Sequence, residues 1–124
     1  MKTLWTLPMP SSGRDDGPDI QVRPGRECVL AFECEDSGAV THYFELIFAN
    51  VKSFRCTYLH ALTTEMIESY DRLDDVGDTS WLEEVRSQTV NYLPNERLRH
   101  LRICFDDGPC YEFICEGFDV SART

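Results

Sequence analysis

Basic charge is what this chain has least of. Its 124 residues hold 12 Lys and Arg against 22 Asp and Glu, a formal net charge of −10. Non-specific nucleic-acid binding needs a basic stripe, and so does attachment to anionic lipid, so both are disfavoured. Long apolar runs are also missing, since no stretch approaches the roughly 20 residues of a membrane-spanning helix. The opening MKTLWTLPMPSSG has one Lys and a short apolar patch broken by Pro8 and Pro10. A secretory signal wants an apolar run of about 7–15 residues and a small-residue cleavage site. No Asn-x-Ser/Thr acceptor occurs either. The expectation is a cytoplasmic protein with reduced thiols.

Chemical signatures are equally scarce. There is no Gly-rich phosphate loop, nucleophile elbow, H-E-x-x-H or EF-hand pattern. The tract from Asp71 to Asp78 looks calcium-like, but with Gly77 at loop position six the first ligand would be Arg72, which cannot ligate. Six cysteines stand at 28, 34, 56, 104, 110 and 115; the closest pairs leave four and five residues between them, and no C-x-x-C occurs. They lie among Val, Ile and Phe and read as small hydrophobes, with no metal and no cofactor expected. His42 and Cys56 are expected on one buried face of adjacent strands, with His60 and His100 near strand ends. No catalytic residue is assigned. An oxidised or thiol-active pair, Cys104 with Cys110, is the alternative.

What is present is an ordinary globular core, 42% hydrophobic, of a length that makes one domain. Residues 8–19 are rich in Pro, Gly, Ser and Asp, so 1–19 reads as a mobile arm, with 2–7 as a candidate edge strand. The domain proper spans 20–120, and 121–124 is a tail. From Cys28 to Cys34 apolar residues alternate, and Asp36-Ser37-Gly38 reads as a three-residue turn with Gly38 left-handed. That turn sets Glu35 opposite Ala39, Leu30 opposite Phe44 and Cys28 opposite Leu46. A third strand over 52–59 continues the meander, burying Phe54, Cys56 and Tyr58. Thr63 caps a helix whose stripe is Met66, Ile67, Tyr70 and Leu73 and whose stop is Gly77. Ser80 and Glu83 make a capping box for a second helix reaching about Gln88. Residues 91–97 form a loop. A last hairpin turns at Asp106-Asp107-Gly108, setting Leu101 opposite Phe113, Ile103 opposite Tyr111, Cys104 opposite Cys110, and Arg102 opposite Glu112 as an ion pair. The fold expected is α+β: an antiparallel sheet of about five strands, β-β-β-α-α-β-β, with two helices packed on one face.

The acidity is concentrated. From Glu65 to Arg86 eight carboxylates face only Arg72 and Arg86, which is −6 of the −10. A solvated helical face is the plain reading. Against it, most of these acids lack an i+4 Lys or Arg, and Tyr70 and Trp81 are interleaved as candidate anchors. An acidic helical surface of Asp71, Asp74, Asp75, Asp78, Trp81 and Glu84 would steer a basic protein partner onto the chain. A small thiol enzyme is a second possibility. A third is a structural subunit that forms a homodimer through an apolar sheet face.

The blocks Phe48-Ala49-Asn50-Val51-Lys52-Ser53-Phe54 and Arg102 to Glu116 lie in a stretch, Phe44 to Val120, covering about 60% of the chain. This stretch resembles small bacterial α+β immunity-type proteins of polymorphic-toxin and contact-inhibition systems. The resemblance implies a non-enzymatic neutraliser of a basic toxin domain. It matches no motif of known role, so it carries over no binding residue.

Overall fold

The computed structural model of the protein describes residues 1–11, 18–88, 96–106 and 108–124. Among these, nine strands occur in the order β1 (Lys2–Thr6), β2 (Asp19–Arg23), β3 (Glu27–Glu35), β4 (Thr41–Ala49), β5 (Ser53–Thr57), β6 (Arg72–Asp75), β7 (Arg99–Cys104), β8 (Cys110–Cys115) and β9 (Gly117–Arg123). Helix α1 (Thr64–Ile67) precedes β6 and α2 (Ser80–Gln88) follows it. The strands form two antiparallel sheets, β1-β6-β7-β8-β5 and β2-β3-β4-β9. The antiparallel character and the helix-on-sheet packing match the expected class. The single five-stranded sheet does not: strand dominates, and it is split in two.

Alternation explains the split. Each sheet has an apolar face, and the two faces close on one another (Leu30, Phe32, Phe44, Leu46 and Phe48 from one; Leu73, Leu101, Ile103 and Phe113 from the other). The Phe48 and Phe113 rings stack across the gap with centroids 3.8 Å apart. Fully burying one such side chain contributes about 1.5–3 kcal/mol.

The first hairpin forms, in a register two residues away from the expected one. Glu35 stands opposite Thr41, Phe32 opposite Phe44 and Leu30 opposite Leu46. The loop is longer because the Asp36 carboxylate folds into it, accepting from Gly38 N at 2.8 Å and Val40 N at 3.0 Å. Ala39, not Gly38, takes the left-handed conformation, at φ 60°. A two-residue shift keeps every side chain on its own face, so Cys28, Leu30, Phe32, Cys34, Phe44 and Leu46 are buried as expected, while Val40, expected opposite Cys34, falls in the loop and is exposed.

The expected meander breaks at Asn50, where a φ of 50° turns the chain out of β4. Lys52 N then donates to Ile114 O, and β5 pairs with β8 in the other sheet. Glu116 N returns to Ala49 O at the same corner, where β8 bends into β9. Strand β5 is therefore an edge: Phe54, Cys56 and Tyr58, expected in the core, are exposed.

The first helix is one turn long. Thr63 caps it as expected, accepting from Met66 N at 3.2 Å. Asp71 then takes a φ of 55°, and Arg72–Asp75 runs as β6 between β1 and β7. Leu73 reaches the core from this strand, not from a helical stripe. Helix α2 starts and ends as expected, but Thr79 is its cap, its Oγ1 accepting from Leu82 N at 3.2 Å. The expected Ser80–Glu83 box is therefore not formed: the cap lies one residue earlier, and the residue three beyond it is Leu82.

Both ends of the chain belong to the sheets. Strand β1 pairs with β6, Leu7 is buried, and Ser11 N donates to Asp71 Oδ2. The expected arm therefore begins as structure, while 12–17 lies outside the described residues, as do 91–95 of the expected loop. Strand β9 runs through Arg123, across the segment taken for a tail. Among the described residues, no helix is long and apolar enough to cross a membrane.

Sheet closure and strand exchange predict a contrast between two phenylalanines. Phe113→Ala should cost about 3–5 kcal/mol in chemical denaturation. Phe54→Ala, on the edge strand, should cost about 1 kcal/mol or less.

Candidate functional site

The outer face of the five-stranded sheet carries a row of polar side chains in register. Thr3, Asp74, Arg102, Glu112 and Arg55 stand side by side across β1, β6, β7, β8 and β5. The charges alternate, and Asp74, Arg102 and Glu112 are buried. Thr3 Oγ1 and Ser69 Oγ each donate to Asp74 at 2.8 Å. Arg102 Nε donates to Ser69 Oγ at 2.8 Å, with Glu65 3.6 Å away. The expected Arg102–Glu112 pair is absent. Glu112 instead takes Arg55 Nε at 2.9 Å and, on the diagonal, His100 Nε2 at 2.6 Å.

This cluster invites a catalytic comparison, because Thr79 Oγ1 lies 2.8 Å from His100 Nδ1. Hydroxyl, imidazole and carboxylate then stand in the order of a nucleophile relay. Two observations make it a clamp instead. The Thr79 oxygen already accepts Leu82 N–H as the cap of α2, so attack on a substrate would uncap the helix. His100 and Glu112 are also almost wholly buried, beneath Trp81, whose ring meets His100 edge-on at 5.0 Å and carries the Arg55 guanidinium at 4.1 Å. With Glu112 as acceptor, Nε2 carries the imidazole proton and Nδ1 accepts from the Thr79 hydroxyl.

Burial alone would raise the Glu112 carboxyl. The hydrogen bonds from His100 and Arg55, and the Arg55 charge, outweigh it and hold the group at about 2 against an ordinary 4.5. Its contribution is therefore complete above pH 4.5 and is lost as pH falls towards 2, a swing of about 3 kcal/mol. Glu112→Gln should destabilise the fold at pH 7 by about 2–3 kcal/mol and flatten the acid limb of the stability profile, read from denaturation midpoints between pH 7 and 2.

The cysteines are all free thiols, and all but Cys56 are buried. Cys104 does stand opposite Cys110 as expected. The Cys104–Cys110 hydrogen bond and burial push the Cys110 thiol far up, and burial pushes Cys115 up to about 12. Cys28 and Cys56 are also raised, chiefly by burial. A thiol nucleophile needs the opposite shift. The expected His42–Cys56 neighbourhood does not exist, because β4 and β5 belong to different sheets. His42 Nε2 pairs instead with Asp36 Oδ2 at 2.8 Å. Among the described residues no three His, Cys, Asp or Glu groups converge as metal ligands. Native-state thiol labelling should modify Cys56 alone, slowly, and Cys56→Ser should abolish it; rapid labelling at Cys104 or Cys110 would restore the thiol-enzyme alternative.

The six residues expected to form an acidic helical surface are dispersed. Asp74 is buried in the charge row, and Asp71 Oδ2 holds Ser11 N. Asp75 Oδ1 accepts from Gly77 N. Trp81 is half-buried on His100 and Arg55. Only Asp78 and Glu84 are exposed. The physical reason is that 72–75 is a strand, whose neighbouring side chains point to opposite faces.

A different surface emerges on the same side of the molecule. The connection from Tyr58 to Tyr70 leaves edge strand β5, crosses the hairpin ends of β8 and β7, and enters β6. It exposes Tyr58, Leu59, Ile67 and Tyr70, four large apolar side chains in thirteen residues, with Tyr58 73% exposed. Glu65 and Glu68 are exposed among them. Its second half is held firmly: Cys104 Sγ donates to Met66 O, Cys104 N to Ser69 O, Asp71 N to Cys104 O, and the Tyr70 hydroxyl to Asp106 Oδ1. Sequence reasoning placed Tyr58, Ile67 and Tyr70 in core stripes and so missed this patch. Helical spacing carries no mark of which face meets the protein. No family model matches the chain, and comparisons with curated proteins and with solved structures return no match.

Proposed function

We propose that this protein is a non-enzymatic binding module that captures and neutralises a basic protein domain, in the manner of an immunity protein acting in the cytoplasm. The observation that carries this reading is the rigid apolar patch of the 58–70 connection, set among exposed carboxylates. Exposed apolar clusters of this kind mark interaction sites. Tyrosines are favoured anchors, because they bring large contact area at little entropic cost. A segment already pinned to β7 and the turn that follows it loses little freedom on binding.

Charge supports the choice of partner. Glu65 and Glu68 flank the anchors, and Asp78, Glu83 and Glu84 are exposed around α2 on the same outer side of the sheet. A chain of net charge −10 repels its own copies and accelerates encounter with a cationic protein. This favours a basic partner over the homodimer alternative. The buried charge row under the patch contributes rigidity, not chemistry.

The test is binding kinetics against the protein encoded by the adjoining gene. The association rate should fall with added salt and drop about tenfold in Glu65→Lys/Glu68→Lys, while Tyr58→Ala/Tyr70→Ala should speed dissociation tenfold or more. Wild-type kinetics in both double variants, or no binding by the wild-type chain, would overturn the reading.

A further inference from the structure

The four-stranded sheet turns its outer face away from α1 and α2, and among the described residues no helix lies over it. Near the Tyr43 end this face holds a groove of about 370 Å³. Its shape follows from the register. Asp19, Ala31 and Glu45 stand in one row across β2, β3 and β4. Adjacent strands lie about 4.8 Å apart, so the two carboxylates flank the small Ala31 side chain with roughly 10 Å between their strands. Glu33 lies two residues along β3, about 7 Å further on the same face. Among the described residues none of the three acids has a cationic partner within bonding distance. Tyr43 forms the wall, and the Arg123 guanidinium sits over its ring at 5.3 Å.

We propose that the hollow over Ala31 is a socket for an arginine side chain on an extended segment of a partner protein. Two properties support this. The floor is a methyl group, so a long side chain can descend between its neighbours. Carboxylates approach from both flanks and from one end, which suits the planar fork of a guanidinium better than a point charge. The socket faces the opposite way from the 58–70 patch, so it stands independently of the function proposed for that patch.

The experiment is an amide chemical-shift titration of the full chain at low salt with an alternating arginine–glycine hexapeptide, and with the same peptide carrying citrulline. With the arginine peptide, shifts should centre on Ala31, Glu33, Tyr43 and Glu45; the citrulline peptide should bind at least tenfold more weakly. Ala31→Leu, which fills the hollow, and separately Glu33→Gln/Glu45→Gln, should each weaken binding about tenfold, while Glu65→Gln/Glu68→Gln should leave it unchanged. The socket is disproved if millimolar arginine peptide shifts nothing on this face. It is equally disproved if citrulline binds as well, or if only the Glu65/Glu68 variant loses binding. That last result would instead place all cation capture on the helix-bearing side.

Discussion

Glu112 is ionised, almost wholly buried, and fixed between strands that lie far apart in the chain. An isolated carboxylate in that position would carry a penalty of several kcal/mol. Its partners therefore constrain the fold. Arg55 must arrive from β5 and His100 from β7. The histidine in turn engages Thr79, whose oxygen starts α2. One charged group thus ties an edge strand, the central hairpin and a helix into a single arrangement. The same row holds a second network, from Arg102 through Ser69 and Asp74 to Thr3, and this one secures the first strand of the chain.

The sheet bearing this row is polar outside and apolar inside, and each face has its own consequence. Inside, Phe113 stacks on Phe48 and closes the two sheets on one core. Outside, the charges cannot face water directly without losing their low-dielectric advantage, and α1, α2 and the 58–70 connection cover them. The cover is thin. Its inner groups, Ser69 and the Met66 carbonyl, are taken up by the row and by Cys104. Its apolar side chains have no remaining protein surface to pack on and stand in solvent. The apolar patch is in this sense a by-product of covering a charged face with a short segment, and it is rigid for the same reason.

Much of the candidate chemistry could be read from the sequence only as a list of parts. The Cys104–Cys110 pairing followed from counting across one turn, and so did the position of Glu112. That Glu112 would prefer a diagonal histidine and a distant arginine to Arg102 directly opposite depends on Ser69 and Glu65 engaging Arg102 first. The acidic run misled for a related reason. Carboxylates at 71, 74 and 75 fit a helical face as well as a strand, and only pairing with β1 and β7 decides between them.

By itself the sequence determined which residues face inward in each hairpin, the pairing of β7 with β8 down to the residue, and the span of α2. These are set by two-residue alternation, by short loops and by local capping, all acting within a dozen or so residues. Only the tertiary structure decided that β5 leaves its neighbour for β8, that 72–75 is a strand, and that the 58–70 connection shows its apolar side to water. Each of these rests on partners far apart along the chain, such as Arg55 with Glu112 or Thr3 with Asp74. No local pattern records whether a buried charge has found its partner.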